Sequence, residues 1–436
     1  MPAPSGAPTA LYRVYGCVTR AVLPLARRGV TRKLQAAGVP DARIGERMGH
    51  ATLPRPDAPL IWVHAVSVGE SLSVLTLMAR LAERLPQHEF LITSGTATSA
   101  ELIAKRMPPR ARHQFAPLDA KGPVTRFLDH WRPDAAIFVD SELWPLMLAE
   151  TRARGARLAL VNARLSASSV RGWSKFPDTS RYVLDQFAIL LTQNPEAAEN
   201  LRTMGADPAR VRTGSNLKST SDPLPVAQDV LDRLRGSVGN RPIWIASSTH
   251  PGEEEEVLAA HRLLLGRNPD LMLLLIPRHP ERGEEIAAMI GRAGMSFRRR
   301  SAGEWPEGDT QVYLADTLGE TGTWYAAAQI VFLGGSFKQI GGHNPFEPAQ
   351  AGAAVLTGPG YYNFTETYGP LISLGGAVEV ADARELAQGV SLWLENPERL
   401  TQARSAARRF VDGQRASLDG VADMLCDALE LEPGDA

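Results

Sequence analysis

The sequence predicts an α/β protein made of two Rossmann-like domains, each a parallel sheet covered by helices. Three observations carry this. Short apolar runs alternate with amphipathic helical stretches along the chain, the pattern of strands linked by helical crossovers. Polar residues gather at the carboxyl side of those runs, where open α/β sheets bind ligands. The pattern also stops and restarts across Ser219-Thr220-Ser221-Asp222-Pro223-Leu224-Pro225, a polar, proline-bearing break. At 436 residues the chain is longer than one core usually accommodates.

The first fifty residues carry eight basic side chains (Arg13, Arg20, Arg27, Arg28, Arg32, Lys33, Arg43, Arg47) against Asp41 and Glu46. Leu11, Tyr12, Val14, Tyr15, Val18, Val22, Leu23 and Leu25 lie between the arginines. No apolar stretch there approaches the ~20 residues that span a bilayer. Arg20 splits the only hydrophobic run, so a signal peptide does not fit. Two readings remain: a basic amphipathic helix on an anionic membrane surface, or a helix packed on the protein with its arginines in solvent.

In the first half, Leu60 to Val66 reads as a strand ending in Ser67-Val68-Gly69-Glu70, with a helix through Leu85. Phe90 to Thr93 is the second strand, turning at Ser94-Gly95-Thr96. Ala135 to Val139 runs into Asp140-Ser141-Glu142-Leu143-Trp144 and a helix through Arg154. Leu158 to Val161, Phe187 to Leu191 and Val211 to Thr213 complete this half. In the second half, strands are expected at Pro242 to Ser247, Leu271 to Ile276, Val312 to Ala315, Ile330 to Leu333 and Ala354 to Leu356, with a helix over Glu253 to Leu265. The run from Gly334-Gly335-Ser336 to Gly341-Gly342-His343-Asn344-Pro345-Phe346-Glu347 reads as a glycine-rich turn and a helix start near Pro345. Such a surface suits a ribose-phosphate ligand.

Composition narrows the function. Net charge is −1, which argues against bulk nucleic-acid binding. Cys17 and Cys426 are far apart and belong to no metal-binding spacing, which suggests a reducing compartment without zinc or disulfides.

Several side chains can carry chemistry. Glu70 stands in a first helical turn, where the helix dipole favours negative charge; it is either a general base or a helix-stabilising acid. Glu142, in the turn after the third strand, poses the same choice. Lys218 lies at the junction of the halves, as a cation for a leaving phosphate or an ordinary solvated lysine. Arg278 and His279 sit at a strand's carboxyl end. The Arg278 fork suits two phosphate oxygens, or else a salt bridge to Glu281 or Glu284.

Six segments, in order, resemble the bacterial 3-deoxy-D-manno-octulosonic acid (Kdo) transferases of lipopolysaccharide synthesis. They are Trp62-Val63-His64-Ala65-Val66-Ser67-Val68-Gly69-Glu70, Ser141-Glu142-Leu143-Trp144-Pro145, Asn162-Ala163-Arg164-Leu165-Ser166, Asn216-Leu217-Lys218, Pro277-Arg278-His279-Pro280-Glu281-Arg282 and Gly341-Gly342-His343-Asn344-Pro345-Phe346-Glu347-Pro348. The resemblance implies a GT-B glycosyltransferase whose two parallel sheets face a central cleft, with an amino-terminal membrane-associating helix. It implies a membrane-associating segment at 1–35, an acceptor-binding domain at 36–218 and a nucleotide-sugar domain at 219–436, the final helices packing back on the first domain. Donor and acceptor would be CMP-Kdo and a lipid A precursor (lipid IVA), at the cytoplasmic face of the bacterial inner membrane, with its anionic surface as a partner.

The same resemblance makes Glu70 the base, with Glu142 and Lys218 assisting the transition state. It assigns the nucleotide contacts to Pro277, Arg278, Leu318, Gly319, Glu320, Asn344, Pro345, Phe346 and Glu347. No metal or cofactor is implied. The chain departs from the family pattern at Asp140-Ser141-Glu142, where the family usually has Glu-Thr-Glu. Its amino-terminal segment is also more charged than the family's hydrophobic anchor, favouring surface attachment over single-pass insertion. A GT-B enzyme using a UDP- or GDP-sugar and an inactive membrane-bound binding protein are the competing readings.

Overall fold

A computed structural model describes residues 7–214 and 223–432. The chain divides into two compact units, Met1–Thr220 with Ala416–Ala436, and Ser221–Arg415.

The first unit holds a seven-stranded sheet of β1 (Leu60–His64), β2 (Glu89–Ser94), β3 (Ala111–Phe115), β4 (Ala135–Val139), β5 (Arg157–Ala163), β6 (Phe187–Thr192) and β7 (Val211–Thr213). The order is β3-β2-β1-β4-β5-β6-β7, and every pairing is parallel. Chain order therefore reverses between β1 and β4, which makes that boundary the sheet's switch point.

Alternate residues of β1 point to opposite faces. Ile61 and Val63 join Met78, Leu81, Ile137 and Val161 in one core, while Leu60 and Trp62 join Phe127, Trp131, Phe138 and Leu160 in another. Burial on both faces explains why these strands read as unbroken apolar runs. The first core is completed by Leu418, Val421, Ala422 and Leu425 from the last helix, Pro397–Leu429. Arg84 ties that helix down through Asp419 (3.1 Å) and Asp423 (3.0 Å).

The second unit repeats the plan with β8 (Ile243–Thr249), β9 (Met272–Pro277), β10 (Phe297–Arg299), β11 (Val312–Leu314), β12 (Ile330–Leu333), β13 (Ala354–Thr357) and β14 (Ala377–Glu379). Its order, β10-β11-β9-β8-β12-β13-β14, is again parallel throughout, with the switch point between β8 and β12. Both cores are filled by large side chains such as Trp244, Leu273 and Trp393 on one face and Tyr313, Trp324, Tyr368 and Phe410 on the other.

The sequence reading overlooks β3, β10 and β14, each of which lies at a sheet edge. An edge strand buries less and tolerates charge. In β3, Arg112 pairs with Glu89 at 2.6 Å and His113 meets Ser94 Oγ at 2.9 Å, so polar residues do the work of apolar ones. The first strand also ends earlier than expected, at His64, because Ser67 caps the following helix.

The basic amino-terminal segment is a helix, Ala10–Ala36, held to the first unit by Tyr15, whose hydroxyl donates to Asp119 at 2.8 Å. Among the described residues no helix is long and apolar enough to cross a membrane.

Candidate functional site

In the first unit, the loops after β1 and β4 flank the switch point, and they carry Glu70 and Glu142. Glu70 forms a capping box with Ser67, starting the helix Val68–Arg84. Glu70 Oε2 accepts from the amides of Val66 (2.7 Å) and Ser67 (3.4 Å), and Oε1 accepts from the Ser67 hydroxyl (2.7 Å). The helix-stabilising role is therefore real. It also fixes the carboxylate in place while it stays half-buried rather than sealed in the core.

Glu142 receives a hydrogen bond from the Trp144 indole N–H, and His64 Nε2 stands 3.6 Å from its carboxylate. His64 is itself fixed from below: its Nδ1 meets Thr93 Oγ1 at 2.9 Å, and Thr93 accepts from the Trp62 indole at 2.9 Å. These buried groups brace the loop that presents Glu142. Asp119 adds a second brace. Its carboxylate accepts from Tyr15 and from the Met147 amide (2.7 Å), at the start of the helix Pro145–Ala153, and burial raises its pKa against those bonds. Asp140 and Asn162, at the ends of adjacent strands, both adopt positive φ (58° and 55°), and the Asn162 amide donates to Asp140. Strained loop ends of this kind are frequent at functional sites. Lys218, with Asn216 and Leu217, lies outside the described residues.

In the second unit, the loops after β8, β9, β11 and β12 carry the candidates. Arg278, directly after buried Pro277, is exposed, and neither Glu281 nor Glu284 pairs with it: Glu281 meets His279 (3.3 Å) and Glu284 meets Arg299 (3.7 Å). The glycine-rich turn behaves differently from the expectation. Its amides at Gly335 (2.6 Å), Ser336 (2.9 Å) and Phe337 (2.8 Å) donate to the fully buried Glu253, which also accepts from His250 N at 3.0 Å. The anion in this backbone nest is the protein's own carboxylate.

The helix beyond the turn is short, Phe346–Gln350, and its first amide is taken by Asn344 Oδ1 at 3.1 Å. Gly341, at φ +107°, is needed there, because a Cβ would lie 2.0 Å from Asn363 Nδ2. Phe346 is buried in the core, and Glu347 lies close enough to raise the buried Tyr325 hydroxyl's pKa further, after burial itself. Glu320 is held by Arg300 through two bonds (2.7 and 3.0 Å), which lower its pKa below the usual range. Beside it Leu318 is 83 % exposed, next to Gly319 at φ +85°.

Sequence reasoning gave no role to His64, Thr93, Asp119, Glu253 or Arg300. Each acts through a partner distant in sequence, and nothing in the local pattern points to that partner.

Comparison with known proteins gives this architecture a class. The chain is similar to a glycosyltransferase from Rickettsia africae ESF-5 (12% identity, 86% of this chain and 100% of that one, TM-score 0.55). It is similar in the same way to a UDP-GlcNAc 2-epimerase from Neisseria meningitidis (11% identity, 86% and 100%, TM-score 0.54). The fold is thus GT-B-like, two parallel α/β units.

Residues 42–221 match the family model described as 3-deoxy-D-manno-octulosonic-acid transferase (kdotransferase). The 3-deoxy-D-manno-octulosonic acid transferase of Bordetella pertussis is 35% identical over 431 residues, covering 94% of this chain and 99% of the relative. That of Haemophilus influenzae is 33% identical over 395 residues, covering 89% and 92%. The chain belongs to the Kdo transferase family. It is a glycosyltransferase that transfers Kdo in lipopolysaccharide biosynthesis.

Proposed function

We propose that the donor is CMP-Kdo, the acceptor a lipid A precursor (lipid IVA), and the reaction a direct inverting displacement with Glu70 as base. The observation that carries this reading is the pair of braced carboxylates, Glu70 and Glu142, on the two loops that flank the first sheet's switch point. Among the described residues Glu70 Oε1 accepts one hydrogen bond, from the Ser67 hydroxyl, and it has a further lone pair for a substrate proton. An acceptor hydroxyl would lose its proton to Glu70 as its oxygen attacks the anomeric carbon of Kdo. The bond from that carbon to the phosphate oxygen breaks, and CMP leaves with the electron pair. Glu142 and Lys218 would assist the oxocarbenium-like transition state. Arg278 would hold the phosphate, with Pro277, Leu318, Gly319, Glu320 and the segment Asn344 to Glu347 around the nucleotide.

The acceptor is a lipid, and the amino-terminal helix is suited to a membrane. Leu11, Val14, Val18, Val22 and Leu25 are all exposed at helical spacing. Arg27, Arg28 and Arg32 line a groove beside them, together with Leu23 and Met48. An apolar stripe bordered by arginines fits the anionic cytoplasmic face of the inner membrane.

The test is CMP release from CMP-Kdo, generated in situ, with and without lipid A precursor. Release that requires acceptor and collapses in Glu70→Ala supports the reading. Release that survives in that variant removes Glu70 as the base. A native enzyme that releases UDP or GDP from their sugars, and no CMP, overturns the donor.

A further inference from the structure

Two histidines on the loops either side of the second sheet's switch point meet ring to ring. His250 follows β8 and His343 lies in the loop after β12; their Nε2 atoms are 2.9 Å apart, and the ring planes are 10° from parallel. The contact is built in. Glu253 fixes the His250 amide and the glycine-rich turn at once. The His343 ring lies against Gly335, where any Cβ would come within 2.9 Å of its Cδ2.

A bond between two imidazole nitrogens needs one donor and one acceptor, so at least one ring is neutral in this arrangement. Burial, with the charges of His250, Arg278 and His279, pushes His343 down to about 4. Burial also lowers His250, helped by His279, Arg278 and Arg282 and opposed by Glu253. Lys338 approaches the same loop at Gly252, and Arg282 is committed to Glu254 and Glu285. The cations facing the pair thus outnumber the one carboxylate, which is already shared among four amides. No group of three or more His, Cys, Asp or Glu side chains among the described residues is placed to hold a metal ion. The ligand chemistry that this surroundings lacks is a multiply charged anion.

We infer that the His250–His343 pair is a proton-linked receptor for the phosphate of the bound nucleotide. This rests on the nucleotide reading above and adds a regulation of that site by protons. An incoming phosphate seated at Arg278 offsets the local positive charge, so one ring takes up a proton from solvent. Only one proton fits between the two Nε2 atoms, so the added proton sits on another ring nitrogen or parts the rings, and the imidazolium donates to a phosphate oxygen. The empty site stores a neutral pair, and the filled site holds a cation matched to its ligand.

Calorimetric titration of the full chain with CMP at pH 7, in buffers of different ionisation enthalpy, counts the protons taken up. At that pH a phosphate monoester, with its second ionisation near 6, is mostly a dianion, so net uptake belongs to the protein. A phosphate beside the ring raises its pKa from about 4 by about 1–3, so uptake of a fraction of a proton, up to about a half per CMP, is expected. His343→Gln should bring the uptake toward zero and weaken CMP about tenfold, the loss of one hydrogen bond to a charged group. Ring-nitrogen NMR of the native chain, which needs no variant, should show two neutral imidazoles before CMP and imidazolium character after. CMP binding without proton uptake, both rings neutral, overturns the receptor and leaves the nucleotide reading intact. Proton-linked binding of UMP but not CMP keeps the receptor and overturns the CMP assignment. No binding of either nucleotide overturns both.

Discussion

The two units share a strand order around their switch points but arm their loops with opposite charge. In the first, the flanking loops present carboxylates, Glu70 and Glu142, and keep Asp119 as a brace beneath them. In the second, the carboxylate Glu253 is sunk into the backbone and the outward groups are Arg278, His250, His279 and His343. The lesson is that a Rossmann-like frame fixes where chemistry happens, while the direction in which the loop carboxylates face decides which kind. A proton acceptor suits an attacking hydroxyl; a cationic rim suits a departing phosphate.

The sharpest way to break the comparison is Glu70→Gln. The amide keeps an acceptor for the capping box but accepts no proton, so Kdo transfer should fall about 10³-fold, with a loss of stability near 1 kcal/mol or less. Paired initial-rate and thermal-melt measurements separate the two effects; equal, small losses in both would reduce Glu70 to a cap.

Glu253→Ala asks the converse question. Four amides lose a buried acceptor, and the cost should be about 3 kcal/mol or more, read from chemical denaturation. A marginal change would mean that water replaces the carboxylate without penalty.

Arg278→Ala leaves the fold intact, since the side chain is exposed. It should weaken CMP by roughly tenfold and flatten the salt dependence of binding. Unchanged affinity would move the phosphate elsewhere.

The smallest effect concerns pH. His343 has a folded pKa lowered to about 4 from the ordinary 6.5, so its neutral form favours folding. That contribution is complete above about pH 6.5 and is lost as pH falls from there through about 4. After solvent screening it is on the order of 1 kcal/mol. His343→Gln should flatten the stability profile over that window; an unchanged slope would remove His343 as its source.

Much of this was readable from the chain. The interior strands announce themselves because both faces are buried, and Glu70 reads as an acid in a first helical turn, where the structure has it. The edge strand β7 was legible, but β3 and β10 were silent, since Arg112, His113, Arg298 and Arg299 satisfy themselves by pairing rather than burial. The glycine-rich turn was legible as an anion-binding backbone. Its occupant was not, because Glu253 lies 82 residues before Gly335 and reads locally as a helix's first acid. His250 and His343, 93 residues apart, are hidden from sequence for the same reason.

The last helix begins among the core residues of the second unit, Ala407, Phe410 and Val411, and ends among those of the first, Leu418 to Leu429. The first unit is therefore interrupted in the chain, and its strip from Ala416 onward leaves the ribosome only after the whole second unit. At ~5–20 residues per second, everything from Ser221 to Arg415 takes roughly 10–40 s to synthesise. Throughout that interval the nascent amino-terminal half presents an uncovered apolar face where Leu418, Val421 and Leu425 will dock. A stop codon near Arg415 would thus injure the half of the protein made first, and leave the half made just before it comparatively whole.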